Sequence, residues 1–441
     1  MFDTRVAAGA PADSRLLRNR DFQLLLTGSS VSMLGSRLTA IGLPLLVLAL
    51  KGSPLVAGWA GFAVAAPSIL IFLPAGALTD RWNPRPAMII SEIGRGAAIA
   101  TVVALILVLH RPSVALLISL VVVEEMLGVF SALAERRIIC SLVDPGNTVA
   151  ALASAEGRTH VVVLLGRSLG GFLFGLGQML PFLADAVSFG FSATVLMRIK
   201  PPKELIVPDP PAVGHLGREI RAGLRWAWDD RFTRFAFPLT ACATLISQAL
   251  IMVFLAEAHA RNLTGDRIGL VLAASGAGGA IGSAVACRLF HYFKYHLLRL
   301  QMWIWAVMFT VLALSGGRSF ILMAVALTVA GFAGALGNIA LDNYMFRDRN
   351  KKMLGRSTSI SRLTTCAGLA LGPLLGGAIA EQFGTGPSIC ALSAVVLVTP
   401  VAAIFARPQT MDDPQPSELE QPGLGGPVTG SQSTPDGPIP A

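Results

Sequence analysis

Two adjacent glutamates, Glu124 and Glu125, stand in an otherwise apolar stretch that begins near Ser113. A helix rises about 1.5 Å per residue, which places them roughly 17 Å from the start of that stretch. Adjacent carboxylates oppose each other's ionisation, and a low dielectric strengthens the opposition. A carboxyl group that gains or loses its proton with conformation is what proton coupling requires. Helix neighbours point about 100° apart, so one of the pair faces a cavity and the other a neighbouring helix. A structural ion pair, or a carboxylate that recognises a cationic substrate, are the alternatives for the same residues.

Other charges interrupt apolar runs. Arg37, Arg167 and Asp185 fall at similar depth in three different runs. An arginine stays charged at any relevant pH, so each needs a partner or water, and an Asp185–arginine pair is expected. Glu92 and Arg95 are three residues apart and read as a local pair on one helix face. Asp342 and Arg362 lie near the ends of two later runs and are read as structural charges, Arg362 as a partner across a gate. Glu257 and Glu381 fall at helix ends on the other side, where solvated positions are expected, with interface or gate roles as the alternative. Phe62, Phe72, Phe130, Trp303 and Trp305 are candidates to pack on an apolar substrate, against the plainer expectation of lipid or helix contacts.

The elements that carry these residues are apolar helices. Of the 441 residues 53% are hydrophobic and 14% charged, against about 25% charged in soluble domains. A bilayer core needs about 20 apolar residues per helix, and such runs recur. Twelve spans are expected, at 22–48, 54–79, 86–109, 113–134, 151–176, 179–198, 233–257, 267–290, 297–315, 319–342, 358–381 and 387–406. This predicts an all-α integral membrane protein. Gly and Pro punctuate the turns, as in Lys51-Gly-Ser-Pro54.

Of the 35 Lys and Arg residues, 25 lie in or beside alternate loops if residues 1–21 are cytoplasmic, and five lie in the opposite loops. That bias predicts that both termini lie in the cytoplasm. It also accounts for the net charge of +9 without nucleic acid. The N-terminus lacks the short apolar core of a cleavable signal peptide. The expected organisation is a cytoplasmic segment 1–21, a six-helix half 22–198, a linker 199–232, a second half 233–406 and a tail 407–441. Gly217–Trp228 in the linker reads as a surface helix, with a plain solvated helix as the equal alternative. The tail carries eight prolines and is expected to be disordered. The five cysteines have no metal-ligand spacing and read as buried packing residues. No catalytic constellation, metal set, cofactor site or GxxxxGK[ST] phosphate loop appears, so a non-enzyme is expected.

The halves repeat. Gly166-Arg-Ser-Leu-Gly-Gly171 matches Gly372-Pro-Leu-Leu-Gly-Gly377 at an offset of 206, and Asp80-Arg81 meets Cys287-Arg288 at 207. A six-plus-six duplication with parallel halves is one architecture of secondary transporters.

Gly76-Ala-Leu-Thr-Asp80-Arg81-Trp-Asn-Pro-Arg85 resembles the signature loop of the major facilitator superfamily. The resemblance implies that Gly76, Asp80, Arg81 and Arg85 form a conformational-switch loop that latches the halves. Asn83 and Pro84 depart from that pattern. Leu17-Arg-Asn-Arg-Asp-Phe22, Leu43-Pro-Leu-Leu-Val47 and Pro181-Phe-Leu-Ala-Asp-Ala-Val-Ser-Phe189 resemble the branch of bacterial macrolide-efflux and siderophore-export proteins. That resemblance implies alternating access and export of a drug, antibiotic or secondary metabolite in exchange for protons. It also implies a monomer whose partners are a small-molecule substrate, protons and the lipid bilayer. Spans 1 and 4 line the cavity in that family, so Arg37 becomes a cavity residue that neutralises a glutamate or binds an anionic substrate, with Arg167 beside it. Exporters of the superfamily carry a Gly-Pro stretch in span 5. Here Arg167 replaces that proline, while span 11 keeps Pro373. Uptake by symport on the same fold, and a non-transporting membrane sensor, are the alternatives.

Overall fold

A computed structural model describes residues 19–71, 75, 78–79, 82–109, 112–143, 148–199, 228, 231–293, 296–316, 319–347 and 351–405. Within them the chain forms twelve helices in two pseudo-symmetric sets of six. The first set is α1 (Arg20–Lys51), α2 (Pro54–Leu70), α3 (Pro84–Val108), α4 (Val114–Leu142), α5 (Thr148–Leu176) and α6 (Leu180–Arg198). The second is α7 (Arg231–Ala260), α8 (Gly265–Phe293), α9 (His296–Leu314), α10 (Phe320–Arg347), α11 (Lys351–Phe383) and α12 (Thr385–Phe405). Ten are long and apolar enough to cross a membrane, and two more apolar stretches, Pro54–Pro67 and Val161–Leu176, are shorter. The protein is a multi-pass membrane protein.

Helix ends follow from local chemistry. The Asn19 side chain accepts from Phe22 N at 3.1 Å and starts α1. Gly52, at φ 68°, ends it in the left-handed region that favours glycine. Ser53 then caps α2 with Pro54 in its first turn, and Asn83 with Pro84 repeats the device for α3. The largest departures from the expected boundaries are the ends of α2 and α4, followed by the start of α11 at Lys351 instead of 358 and the end of α10 at Arg347 instead of 342. The described run of α2 stops at Leu70, three residues past Pro67, and α4 runs on to Leu142 instead of stopping at 134. Cys140 and Cys390 are exposed rather than buried, since the outer faces of these helices have lipid, not protein, to meet. Residues 1–18, the segment 200–227 that would hold the surface helix, and the tail lie outside the described residues.

The duplicated glycine motif performs the same packing twice. On α5, Gly166 and Gly170 lie against Arg37, Leu38 and Ile41 of α1, while Gly171 and Gly175 lie against Gly269 and Gly265 of α8. On α11, Gly372 and Gly376 lie against Gln248 and Ala249 of α7, while Pro373 and Gly377 lie against Gly58 of α2. Each motif therefore joins its own half with one pair of small residues and the opposite half with the next. A Cβ on Gly171 would stand 2.9 Å from the Gly269 Cα, and one on Gly58 would stand 2.6 Å from the Pro373 carbonyl oxygen. Backbones approach that closely only without side chains between them. These contacts gather at one face of the bundle, where α1, α5, α7 and α11 end.

Candidate functional site

One face of α1 presents Ser29, Ser32, Ser36 and Thr39, spaced by three or four residues and all buried. Each touches a charged side chain from another helix. The face beside it carries Gly28, Gly35 and Gly42, which admit Val195, Asp185 and Pro181 of α6. Opposite the hydroxyls, α4 presents Glu124, Gly128, Ser131 and Glu135 at helical spacing, and α3 presents Glu92 and Arg95.

Arg95 is the centre of this arrangement. Its Nη2 and Nε donate to Glu124 Oε1 at 2.7 and 3.0 Å. Its Nη1 donates to Glu92 Oε1 at 3.2 Å and to Ser32 Oγ at 3.3 Å, and Nη2 also reaches Ser36 Oγ at 2.5 Å. Ser36 donates to Glu124 Oε1 at 3.2 Å, and Ser131 donates to Glu92 Oε1 at 2.7 Å. The guanidinium lies 4.3 Å from the Phe189 ring centroid, a cation–π contact. Gly128 leaves the room it needs: a Cβ there would stand 3.4 Å from Arg95 Cζ. The expected local pair of Glu92 and Arg95 is thus part of a three-residue bridge across two helices.

The charges in this bridge do not balance. Glu92 and Glu124 are both buried and share one guanidinium. Each uses only Oε1, and Oε2 of both has no hydrogen-bond partner. Buried carboxylates demand a cation, a proton or water. Chemically, the site can hold a proton and can pass Arg95 between two acids.

Three expected residues fall around it. Glu125 is half-buried, makes no hydrogen bond or ion pair among the described residues, and lies within electrostatic reach of Glu124, Arg95 and Arg37. Arg37 is exposed, and its stem lies on Gly166 of α5. Asp185 is fully buried, but it is not paired with an arginine among the described residues. Its Oδ2 takes the Thr39 hydroxyl at 2.6 Å, because Gly35 lets α1 settle onto α6 at this level.

Sequence reasoning missed a second bridge. Arg158 Nη2 meets Glu135 Oε1 at 2.7 Å, Ser29 donates to the same oxygen at 2.6 Å, and Arg158 Nη1 donates to the Leu26 carbonyl at 3.0 Å. Glu135 reads as loop if α4 stops at 134, yet the spacing 124, 128, 131, 135 marks it as the same helix face. Arg85, one of the residues of the expected switch loop, donates from Nη2 to the Met197 carbonyl at 2.7 Å and from Nε to the Leu196 carbonyl at 3.4 Å. It lies in the first turn of α3, beside the carbonyls of the last turn of α6. Arg137 of α4 donates to the carbonyls of Thr79 and Trp82 and so holds the loop. Gly76, Asp80 and Arg81, and the side chains of Arg167, Asp342 and Arg362, lie outside the described residues. Phe130 stacks on Trp82 and Trp305 packs on Phe309, while Trp303 is exposed.

A contact between halves comes from Glu381, expected at a solvated end. Its Oε2 accepts from Ser53 Oγ at 2.5 Å and from Leu55 N at 2.9 Å, so the end of α11 caps the first turn of α2. Glu257 pairs with Arg261 and receives the Thr385 hydroxyl, within the second half.

Residues 13–431 match the family described as transmembrane secretion effector, within the major facilitator group. The uncharacterized MFS-type transporter y4rN of Sinorhizobium fredii is 24% identical over 403 residues, covering 88% of this chain and 94% of that one. Among solved structures, the nucleoside transporter NupG superposes with a TM-score of 0.65 at 13% identity, over 88% of this chain and 99% of NupG. A bacterial homologue of the iron transporter ferroportin, in an inward-facing state, superposes with a TM-score of 0.64 at 17% identity, over 89% and 99% of the two chains. At these identities the structures speak for the fold alone.

Proposed function

Because the chain belongs to the transmembrane secretion effector family of the major facilitator superfamily, we propose that this transporter exports a small amphipathic compound, an antibiotic or another secondary metabolite, in exchange for protons. The observation that carries the reading is the unbalanced bridge of Glu92, Arg95 and Glu124, buried in the first half. A group of acids sharing one arginine takes up a proton in one arrangement and releases it in another. Glu125 and Arg37, neither of which makes an ion pair among the described residues, are the substrate-facing charges. A charge inside a membrane span is costly unless it meets a partner or a water-filled cavity.

The chain works as a monomer in the bacterial inner membrane, with both termini in the cytoplasm. In that orientation the face sealed by α5 with α8, and by α2 with α11, is the outer one, and the conformation is inward-facing. Substrate then enters from the cytoplasm or inner leaflet and leaves when the glycine seams part. Arg167, in place of the proline that exporters of this kind carry, favours a second reading, proton-coupled uptake on the same fold.

Inverted vesicles with an acid interior test the direction, using a panel of compounds first scored for growth protection in a sensitised host. Export predicts gradient-driven accumulation in these vesicles. Glu124→Gln and Glu125→Gln separate the coupling acid from the substrate-facing one. Undiminished proton-driven transport in both single variants and in the double would sink the coupling role. Gradient-driven loss of compound from the vesicles would favour uptake.

A further inference from the structure

We propose that Asp185 is a second proton-binding site of the first half, carrying its proton in this conformation and lying on the far side of α1 from the substrate-facing charges. The argument is geometric. Asp185 has no exposed surface, and no cation lies within ion-pair distance among the described residues. Its polar contacts are the Thr39 hydroxyl at 2.6 Å on Oδ2 and the Ser188 hydroxyl at 3.5 Å on Oδ1. A hydroxyl both donates and accepts, so the Thr39 contact serves a neutral acid as well as an ionised one. A carboxylate buried without a counter-charge is costly enough that such groups neutralise instead.

The charged groups that bear on the pocket can be named helix by helix. From α3 come Glu92 and Arg95, and from α4 come Glu124 and Glu125. From α1 the lone charge at this level is Arg37, which is exposed and whose stem lies on Gly166 of α5. From α5, Arg158 is held by Glu135, and the Arg167 side chain lies outside the described residues. Arg95 is therefore the described cation that can answer for Asp185, and here it is taken by Glu124, Glu92 and the two serines. Its ring partner, Phe189, stands one helical turn beyond Asp185 on α6. A movement of Arg95 off Glu124 would bring positive charge toward Asp185 and favour release of that proton to water. The site would then feel the conformation of the bridge without touching substrate. Gly35 is the permissive element, because a Cβ there would collide with Asp185 and Ser188.

The inference adds a proton site to the proton-exchange reading, but its test needs no transport. Infrared spectra of the full-length protein in lipid nanodiscs, compared in H2O and D2O at neutral pH, report protonated carboxyl groups directly. Subtraction of Asp185→Asn from wild type should leave a protonated-carboxyl band equivalent to one group, which Glu125→Gln leaves in place. Thr39→Val, which keeps the side-chain shape, should shift that band in a folded protein as the hydrogen bond is lost. An unchanged band in Thr39→Val, or no carboxyl difference between wild type and a folded Asp185→Asn, overturns the proposal. A band without proton-driven transport keeps Asp185 as a proton site and removes the exchange reading. Transport without a band does the reverse.

Discussion

Replacing Glu381 with alanine should loosen the face at which α2 meets α11. The carboxylate of Glu381 accepts the Ser53 hydroxyl at 2.5 Å and the Leu55 N–H at 2.9 Å. It therefore sits on the positive end of α2, where a negative charge contributes about 0.3–1 kcal/mol. Hydrogen bonds to a charged group are worth about 1.5–3 kcal/mol when sheltered, but Glu381 is exposed, and exposed charge interactions fall to about 0–1 kcal/mol. Together the contacts favour the closed face by about 0.3–2 kcal/mol, a factor of roughly 2–30 in population. Glutamine keeps an acceptor and loses the charge, so Glu381→Gln should show a smaller part of the effect. The glycine seam below, Gly58 on Pro373 and Gly377, remains in both variants, so the shift is partial. Spin labels at Lys51→Cys and Gln382→Cys, both exposed helix ends, report the separation by pulsed dipolar spectroscopy. A longer-distance population should grow in the order wild type, Gln, Ala. Identical distributions in all three would refute the idea that this cap holds the halves together.

Arg95→Met leaves Glu92 and Glu124 buried without their cation and should cost about 3–5 kcal/mol of stability, the usual effect of breaking a buried pair. Thermal melting in detergent checks this, and adding Glu124→Gln should recover part of the loss. Arg158→Met should behave alike at the second bridge, and Glu135→Gln in the same chain should again recover part. Gly171→Leu should hold α5 off α8 and lower transport while expression persists. Gly190→Ala, where nothing lies within 4 Å of the added carbon, should leave transport unchanged.

The helices were legible because apolar run length is a one-dimensional property, and the observed ends mostly lie within a few residues of the expected ones. The errors have physical causes. Glu135-Arg136-Arg137 looks like a loop until Glu135 is placed on the face of Glu124 and Ser131. The contact of Glu92 with Arg95 is local and was readable from spacing. Glu124 as their partner depends on how α3 packs on α4, which spacing along one chain does not encode. For Asp185 the rule that membrane charges seek opposite charges points to an arginine, and of the two candidates the Arg167 side chain lies outside the described residues. The three glycines of α1 at seven-residue spacing were in plain view, but their consequence, a hydroxyl brought against the acid, is a property of helix approach. The cap formed by Glu381 joins residues more than 300 positions apart and could not be read at all.

The duplication separates scaffold from chemistry. The residue 206 positions beyond Arg95 is Gln301, buried on α9. The residue 206 positions beyond Ser131 is Gly337 on α10, and a Cβ there would stand 2.6 Å from Gln301 Cδ. Helix α9 thus aims a side chain at α10 much as α3 aims Arg95 at α4, but the side chain is neutral and its Oε1 is unpartnered. Among the described residues the buried charges, Glu92, Arg95, Glu124, Glu135 and Asp185, all belong to the first half. The glycine seams, by contrast, occur in both. Each seam needs small residues in both copies, because each half supplies one side of each seam. Charge is different, since a buried acid needs a cation, a proton or water, and a second set in the other half would add that cost. On the proton-exchange reading proposed above, the buried acids lie in one half and the matched seams join it to the other, so that a proton event at the acids would move the first half against the second.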